Sequence, residues 1–166
     1  MKYKSLGISG LKVSELCLGT MTFGEEFGIG APESVCRAIY DGFRDAGGNF
    51  FDTADMYNAG TSERMLGTFI GPERARVVLA SKYSLNTDAS DPNAGGNHRK
   101  NLVQSLDGSL ERLGTDYIDL YWVHAWDGCT GIAEVMRALD DQVRAGKILH
   151  LGISNAPAWL VSAANT

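Results

Sequence analysis

Short apolar segments alternate with longer amphipathic segments along most of this chain, and that alternation constrains the fold more than any single residue does. The short segments are rich in β-branched and aromatic residues, which is typical of buried strands. Strands that alternate with helices build parallel βαβ units. A hairpin at residues 2–6 and 11–13 is predicted to precede them. The predicted strands span residues 15–19, 49–52, 76–81, 117–123 and 148–153.

The segments between the strands show helical periodicity. The first predicted helix spans residues 32–46, with a proline at its start and a glycine after its end, as many helices have. The apolar stripes that we expect to face the core are Val35, Ala38, Ile39 and Phe43 in the first helix, Met65, Leu66, Phe69 and Ile70 in the second, and Leu102, Val103, Leu106, Leu110 and Leu113 in the third.

Two folds accommodate this order, a doubly wound open sheet and a (β/α)8 TIM barrel. An open dinucleotide-binding sheet carries GxGxxG after its first strand, and the segment LGTMTFG at residues 18–24 does not match it. The polar residues described below are instead spread over several strand ends, as on the C-terminal face of a barrel. We therefore expect an α/β fold, a TIM barrel of which this chain holds the hairpin and about five β/α units.

The length is short for that fold, because eight β/α units need roughly 250 residues and the chain has 166. We expect residues 1–166 to be the N-terminal part of a single barrel domain whose C-terminal strands the chain lacks. An unclosed sheet leaves strand edges unpaired. Self-association or a missing C-terminal segment is expected to cover those edges.

Charge, hydropathy and cysteine spacing bear on the partners, the targeting and the redox state of the protein. The net charge is −5 and the longest basic run is Arg99-Lys100 beside a histidine, so nucleic acid is not an expected partner. No apolar run is long enough to span a membrane, and the N-terminus lacks a signal-peptide core. Cys17, Cys36 and Cys129 are far apart and form no CxxC, which is typical of reduced cytoplasmic thiols.

Four polar side chains, Asp52, Tyr57, Lys82 and His124, stand where apolar runs end. Each has an ordinary explanation taken alone: a solvated loop residue, a rim aromatic, a strand-end cation and a half-buried histidine. Their joint placement at one end of successive strands favours a shared site. An acid, a phenol, an amine and an imidazole together make a proton-transfer set.

A metal site is the alternative for a barrel with histidine and aspartate at strand ends. Such sites need several imidazoles, and this chain has His98, His124 and His150 only. His150 opens a strand and should point away from His124, while His98 starts a helix. We therefore predict no bound metal.

The motifs FDTADMY, SKY, SLERLGTDYIDLYWVH and LGISN resemble those of the aldo-keto reductase superfamily. The resemblance runs over residues 4–155, and the segment NHRKNLVQSLDGSLERLG is most similar to bacterial members. It implies a β/α barrel with a catalytic tetrad, matched here by Asp52, Tyr57, Lys82 and His124. It also implies NADP(H)-dependent reduction of a small aldehyde or ketone.

The residue types fit that implied reaction. A phenol is a weak acid at neutral pH, and a nearby ammonium favours its ionised form. Tyr57 would donate the proton, Lys82 would activate it and Asp52 would anchor Lys82. His124 would orient the substrate carbonyl.

The resemblance also assigns the cofactor-binding residues. Ser154-Asn155 matches a pair that bonds the nicotinamide carboxamide, although it also fits a simple turn before a proline-initiated helix. Residues 19–21 match the backbone beneath the cofactor. The adenine and 2′-phosphate contacts of the family lie beyond Thr166, so NADP over NAD is carried over from the family. The predicted cofactor-binding set is Gly19, Thr20, Met21, Asp52, Ser154 and Asn155.

Phe23 and Trp126 are predicted to line the substrate pocket, with apolar packing at the rim as the alternative. We expect the polar loop at residues 87–97 to be flexible rather than functional. A non-catalytic nicotinamide-binding barrel, acting as a sensor or regulatory subunit, and an inactive fragment stay open as alternatives. The complete tetrad favours the enzyme.

Overall fold

The strands form a hairpin and one parallel sheet in a computed structural model that describes residues 1–166. Tyr3–Ser5 (β1) pairs antiparallel with Lys12–Ser14 (β2). The other strands pair in chain order, each parallel to the next. They are Leu18–Gly19 (β3), Phe50–Asp52 (β4), Val78–Tyr83 (β5), Ile118–Val123 (β6) and Ile148–Ile153 (β7).

Helices connect these strands. Their bounds are Glu33–Asp45 (α1), Thr61–Ile70 (α2), Arg99–Leu113 (α3), Ile132–Arg144 (α4) and Ala158–Ala164 (α5), with short 3₁₀ segments at Tyr57–Gly60 and Gly71–Arg76. The unbroken order β3-β4-β5-β6-β7 is that of a barrel, since a doubly wound sheet reverses its strand order at a switch point. None of the helices is both long and apolar enough to cross a membrane.

The core lies between the sheet and α1–α4 and is rich in aromatic rings. Tyr40 of α1 stacks on Phe51 of β4 with ring centroids 5.1 Å apart, and Tyr83 stacks on Tyr121 at 5.5 Å. The predicted stripes of the second and third helices are confirmed at Leu66, Phe69, Ile70, Leu102, Leu106 and Leu113, which are all buried.

The predicted stripe of the first helix is wrong at Val35, Ala38 and Ile39 and is confirmed at Phe43. Val35 and Ile39 are exposed, and the buried residues of α1 are Cys36 and Tyr40. Phe43 also packs against the core. Spacing alone does not decide between these neighbouring stripes, and the bulky aromatic ring at position 40 carries the larger apolar area.

Strand boundaries also differ from their predictions: β3 begins at Leu18 rather than at residue 15, and the shift of β5 matters for the site. Residues Gly71–Arg76 form a 3₁₀ segment, so β5 begins at Val78 and continues to Tyr83. Lys82 is therefore inside β5 rather than at the start of a loop. Because side chains alternate along a strand, Ser81 and Lys82 point to opposite faces of the sheet.

Candidate active site

Lys82 lies at the centre of the predicted proton-transfer set. Its ammonium donates hydrogen bonds to Oδ2 of Asp52 at 2.5 Å, to the carbonyl of Thr53 at 2.6 Å and to Oη of Tyr57 at 3.2 Å. Lys82 is only 7% exposed. A buried ammonium needs such partners, and here two of them are the predicted tetrad residues.

The chain reaches this geometry by continuing its strand pairing past β4. The N–H of Thr53 donates to the carbonyl of Ala80, and the N–H of Asp55 donates to the carbonyl of Lys82. The chain then turns, and the N–H of Tyr57 donates to the carbonyl of Ala54. The turn therefore brings the Tyr57 hydroxyl back over the Lys82 side chain.

Asn58 holds the turn in place although its backbone is left-handed, with φ of 46°. It is fully buried. Its Nδ2 donates to the carbonyls of Met21 and Phe23, and its Oδ1 accepts from the N–H of Phe27. Asparagine tolerates this conformation better than most residues. These three bonds join the turn after β4 to the loop after β3.

Burial and Lys82 act in opposite directions on the pKa of the Asp52 carboxyl group. Burial raises its pKa, and the charge and hydrogen bond of Lys82 offset part of that rise. The Trp122 indole lies close enough to favour the charged carboxylate, although its N–H does not meet the geometry of a hydrogen bond. Trp122 is opposite Lys82 in the β5–β6 register, and the sequence analysis did not single it out.

His124 follows β6 and is the fourth residue of the predicted tetrad. Its backbone N–H donates to the carbonyl of Tyr83 at 2.9 Å. Its imidazole lies edge-on to the Tyr57 ring, with centroids 5.8 Å apart and an interplanar angle of 82°. Burial, and secondly the charge of Lys82, lower the pKa of His124 to about 4. The ring is therefore neutral at pH 7 and has one N–H to donate.

The predicted cofactor residues at the end of β3 and directly after it differ in their exposure. Gly19 is exposed with nothing within 4 Å of where a Cβ would stand, and Met21 is 49% exposed. Thr20 is fully buried, and its hydroxyl bonds to the carbonyl of Asp52 and to Ser62. Gly19 and Met21 are open to a ligand, whereas the side chain of Thr20 fastens β3 to β4 and α2.

The Ser154-Asn155 pair lies at the same end of the sheet. The N–H of Ser154 continues the pairing of β7 with β6 by donating to Val123. Asn155 is left-handed, with φ of 46°, and its Nδ2 donates to the carbonyl of His124 at 2.9 Å and to Oγ of Ser154 at 3.0 Å. This end of β7 is thus tied directly to the tetrad.

Phe23 does not fit its predicted role in a substrate pocket. It is 2% exposed and packs edge-on against Phe69, so its side chain belongs to the core beneath the loop. Apolar packing, the alternative explanation, applies to Phe23. Trp126 is half-buried beside the core and two residues after His124, where it remains a candidate for the pocket wall.

A clamp that the sequence analysis missed connects the loops after β5 and β6. Asn97 is fully buried; its Oδ1 accepts from the N–H of Asp127, and its Nδ2 donates to the carbonyl of Ala125. Oδ2 of Asp127 accepts from the N–H of Asn97 at 2.7 Å. The clamp restrains the segment that carries His124 and Trp126.

The two other histidines, His98 and His150, lie outside the predicted tetrad. His98 caps α3, because its Nδ1 accepts from the N–H of Asn101, and His150 lies within β7. No group of three or more metal-ligating side chains is close enough to hold an ion.

The family is shown by comparison with known proteins. Residues 15–166 match the family model described as Aldo/keto reductase family. The chain belongs to the aldo/keto reductase family. A norsolorinic acid reductase of Emericella nidulans is 44% identical over 95% of this chain, and an uncharacterised oxidoreductase of Bacillus subtilis is 42% identical over 96%.

The structure of an aldo-keto reductase from Bacillus halodurans, in its holo form, also matches. It covers 98% of this chain with a TM-score of 0.86 and 32% identity. The fold is therefore that of an aldo-keto reductase TIM barrel, in part. The chain spans 43% of the Emericella reductase, 51% of the Bacillus subtilis oxidoreductase and 53% of the Bacillus halodurans chain.

Proposed function

We propose that the whole protein reduces the carbonyl group of a small aldehyde or ketone with NADPH, and that Tyr57 is the proton donor. The observation that carries the proposal is the position of Lys82, which lies 3.2 Å from the Tyr57 hydroxyl while it is bonded to Asp52. The matched relatives with named activities are enzymes, so a non-catalytic barrel is not favoured.

The tetrad residues have separate tasks in this reaction. As the substrate carbon is reduced, negative charge builds on its oxygen, and Tyr57 gives that oxygen a proton. The ammonium of Lys82 stabilises the phenolate that remains, and Asp52 holds the ammonium in place. The neutral ring of His124 donates an N–H to the same oxygen and fixes its orientation.

The open residues at this edge fit the nicotinamide end of a dinucleotide. A carboxamide offers both a donor and an acceptor, and the pair Ser154-Asn155 complements it with a hydroxyl and with an Oδ1 that accepts no bond within the protein. Gly19 leaves open space beside its backbone. When bound, the reduced nicotinamide supplies the hydride. The preference for NADP(H) over NAD(H) rests on the family resemblance alone.

Three further proposals concern the extent of the domain, the pairing of its outer strands and its location in the cell. Residues 1–166 form the N-terminal part of one barrel domain, in which the outer edges of β3 and β7 pair with further strands or with a second copy. The share of the matched structure that the chain covers supports this. The protein works in the cytoplasm, where free thiols such as its three cysteines stay reduced.

The test is NADPH oxidation by the whole protein, followed by absorbance. The panel would contain aromatic aldehydes, aliphatic aldehydes and ketones. It would also contain norsolorinic acid, the compound in the name of one relative. We expect turnover with at least one carbonyl compound and none without it. Binding of NADPH with no oxidation across the panel would contradict the proposal.

A further inference from the structure

Asp55 is a buried acid that the tetrad does not use. It is 4% exposed, and neither oxygen of its carboxyl group has a hydrogen-bond partner in the protein. The N–H of Met56 and the hydroxyl of Ser105 lie close enough to favour its charged form, but neither completes a hydrogen bond. A buried polar group without partners is destabilising. The presence of Asp55 two residues before Tyr57 therefore suggests a functional role.

The groups around Asp55 form a partly buried polar cluster contributed by α2, α3 and β6. We call Asp55, Glu63, Ser105, Arg112 and Tyr121 the Asp55 cluster. Glu63 of α2 is fully buried and accepts from Arg112 of α3 at 2.7 Å. The hydroxyl of Tyr121 on β6 is also buried without a partner, and Asp55 is the strongest charge acting on it.

The cluster is connected to the tetrad through short covalent and hydrogen-bonded links. Asp55 is two residues before Tyr57, and its backbone N–H donates to the carbonyl of Lys82. Ser81, the neighbour of Lys82 on β5, donates to Oε1 of Glu63 at 2.6 Å. A movement of Asp55 would therefore shift both partners of the Tyr57–Lys82 hydrogen bond.

Charge and burial make the protonation of Asp55 sensitive to conditions near neutrality. Burial, followed by the negative charge of Glu63, raises the pKa of Asp55 to about 7, while Arg112 acts in the opposite direction. The charged or titratable groups around it are Glu63 from α2, Arg112 from α3 and Tyr121 from β6, with Tyr83 of β5 stacked on Tyr121. An open cavity of about 500 Å³ reaches Asp55 and gives protons a route.

We propose that Asp55 is a positioning residue for Tyr57: its neutral form leaves undisturbed the turn after β4, which Asn58 holds and in which the Tyr57 hydroxyl reaches Lys82. This rests on the proposed function. When Asp55 is protonated, the cluster is neutral, because Arg112 balances Glu63. Ionisation places a second negative charge beside Glu63, on a carboxyl group that no hydrogen bond compensates, and displaces the turn, so turnover falls as Asp55 loses its proton.

The experiment is the pH dependence of kcat for the whole protein between about pH 5.5 and pH 9. In the wild type we expect kcat to fall severalfold with a midpoint near neutrality. Asp55→Asn keeps the shape of the side chain without its charge, so it should retain the acid-side rate and abolish the fall. Asp55→Ala removes the charge together with the carboxyl group, so its rate should also not fall through this pH range. An Asp55→Asn profile that superimposes on that of the wild type would overturn the proposal.

A second variant covers the case in which the asparagine protein does not fold. The hydroxyl of Tyr121 is free to donate to an ionised Asp55, so Tyr121→Phe should move the fall in kcat to higher pH. An unmoved midpoint would count against the proposal. Asp45→Asn, which removes an exposed carboxylate at the end of α1, is the matched control and should leave the profile unchanged.

Unfolding measurements separate this inference from the proposed function. The folded state binds a proton on Asp55 that the unfolded chain releases near its ordinary value of 3.8. Stability associated with Asp55 is therefore present below about pH 4 and is lost as the pH rises to about 7. Asp55→Asn should gain in unfolding midpoint over the wild type across that window. This outcome is measurable even if no carbonyl compound is reduced, and parallel curves would overturn the protonation of Asp55.

Discussion

The ammonium of Lys82 on β5 donates to the carboxylate of Asp52 on the neighbouring strand β4, at 2.5 Å. The two side chains are 9% and 26% exposed, so this ion pair is partly withdrawn from water. Lys82→Met removes the charge that faces Tyr57 and leaves Asp52 without its partner. We expect kcat to fall by about 10²- to 10⁴-fold, the usual range for a lost proton-transfer group.

The matched control for that change is Lys147→Met. Lys147 pairs with Asp107 at the surface, at 2.7 Å, far from the tetrad in the chain and in the sheet. Exposed pairs contribute little, so kcat should stay within about twofold of wild type. A Lys82→Met enzyme with a similarly small loss would contradict the role given to Lys82.

Tyr57→Phe tests the proton donor itself. The variant keeps the ring that lies edge-on to His124 and loses only the hydroxyl. We expect turnover to fall by about 10²- to 10⁴-fold while NADPH affinity, measured by fluorescence titration, changes by less than about twofold. Tyr3→Phe, on the exposed β1, is the control. Substantial kcat in the Tyr57 variant would remove it from the mechanism.

His124 predicts a pH dependence of folding stability. Its pKa is lowered from 6.5 to about 4, because burial and Lys82 disfavour the charged ring. Between those pH values the unfolded chain binds more protons than the folded one, so stability is lost as the pH falls through this window.

The measurement is urea unfolding of the wild type and of His124→Gln at about pH 7 and pH 4.5. The variant does not titrate, so the wild type should lose on the order of 1–2 kcal/mol relative to it. That estimate is smaller than the full shift implies, because the ring is partly exposed to solvent. A constant difference between the two proteins would show that the imidazole of His124 titrates normally.

The fold and the grouping of the four polar side chains were predictable because they depend on local patterns. Each β/α unit buries its own apolar stripe, so periodicity marks strands and helices with little help from distant residues. Parallel strands then deliver their end residues to one edge. Asp52, Lys82 and His124 could therefore be grouped from three separate segments of sequence, and the structure places them together.

The supporting residues could not be predicted because their roles depend on contacts made across the fold. Asn97 lies in a polar loop, for which the sequence predicts exposure to solvent. The structure instead buries it against Asp127, thirty residues later in the chain. Phe23 has no local signal that distinguishes a core ring from a pocket wall. Asp55 is buried among residues of α2, α3 and β6, and its place just after a strand is only a weak signal of that burial.

The clamp between Asn97 and Asp127 predicts an effect on substrate handling. Burial raises the pKa of Asp127, but hydrogen bonds from Thr130 and from the clamp more than compensate and hold it well below its usual range. Asn97→Ala removes two side-chain hydrogen bonds of a buried residue, at a cost of about 1–3 kcal/mol.

Because the clamp restrains the segment that carries His124 and Trp126, Asn97→Ala should also raise KM more than it lowers kcat. Steady-state kinetics and urea unfolding measure the two effects. Asn93→Ala, an exposed residue of the same loop, is the control and should change neither. Unchanged KM and stability in the Asn97 variant would show that the clamp does not restrain the site.

The ion pair between Arg112 and Glu63 gives the sharpest stability prediction. The Glu63 side chain is fully buried and the Arg112 side chain is 25% exposed. Arg112→Met leaves a buried carboxylate with only the hydroxyl of Ser81, so we expect a loss of about 3–5 kcal/mol in the free energy of unfolding. Arg144→Met breaks an exposed pair with Asp140 and should cost less than about 1 kcal/mol. Equal losses in the two variants would mean that water reaches Glu63 and that the Asp55 cluster is not shielded.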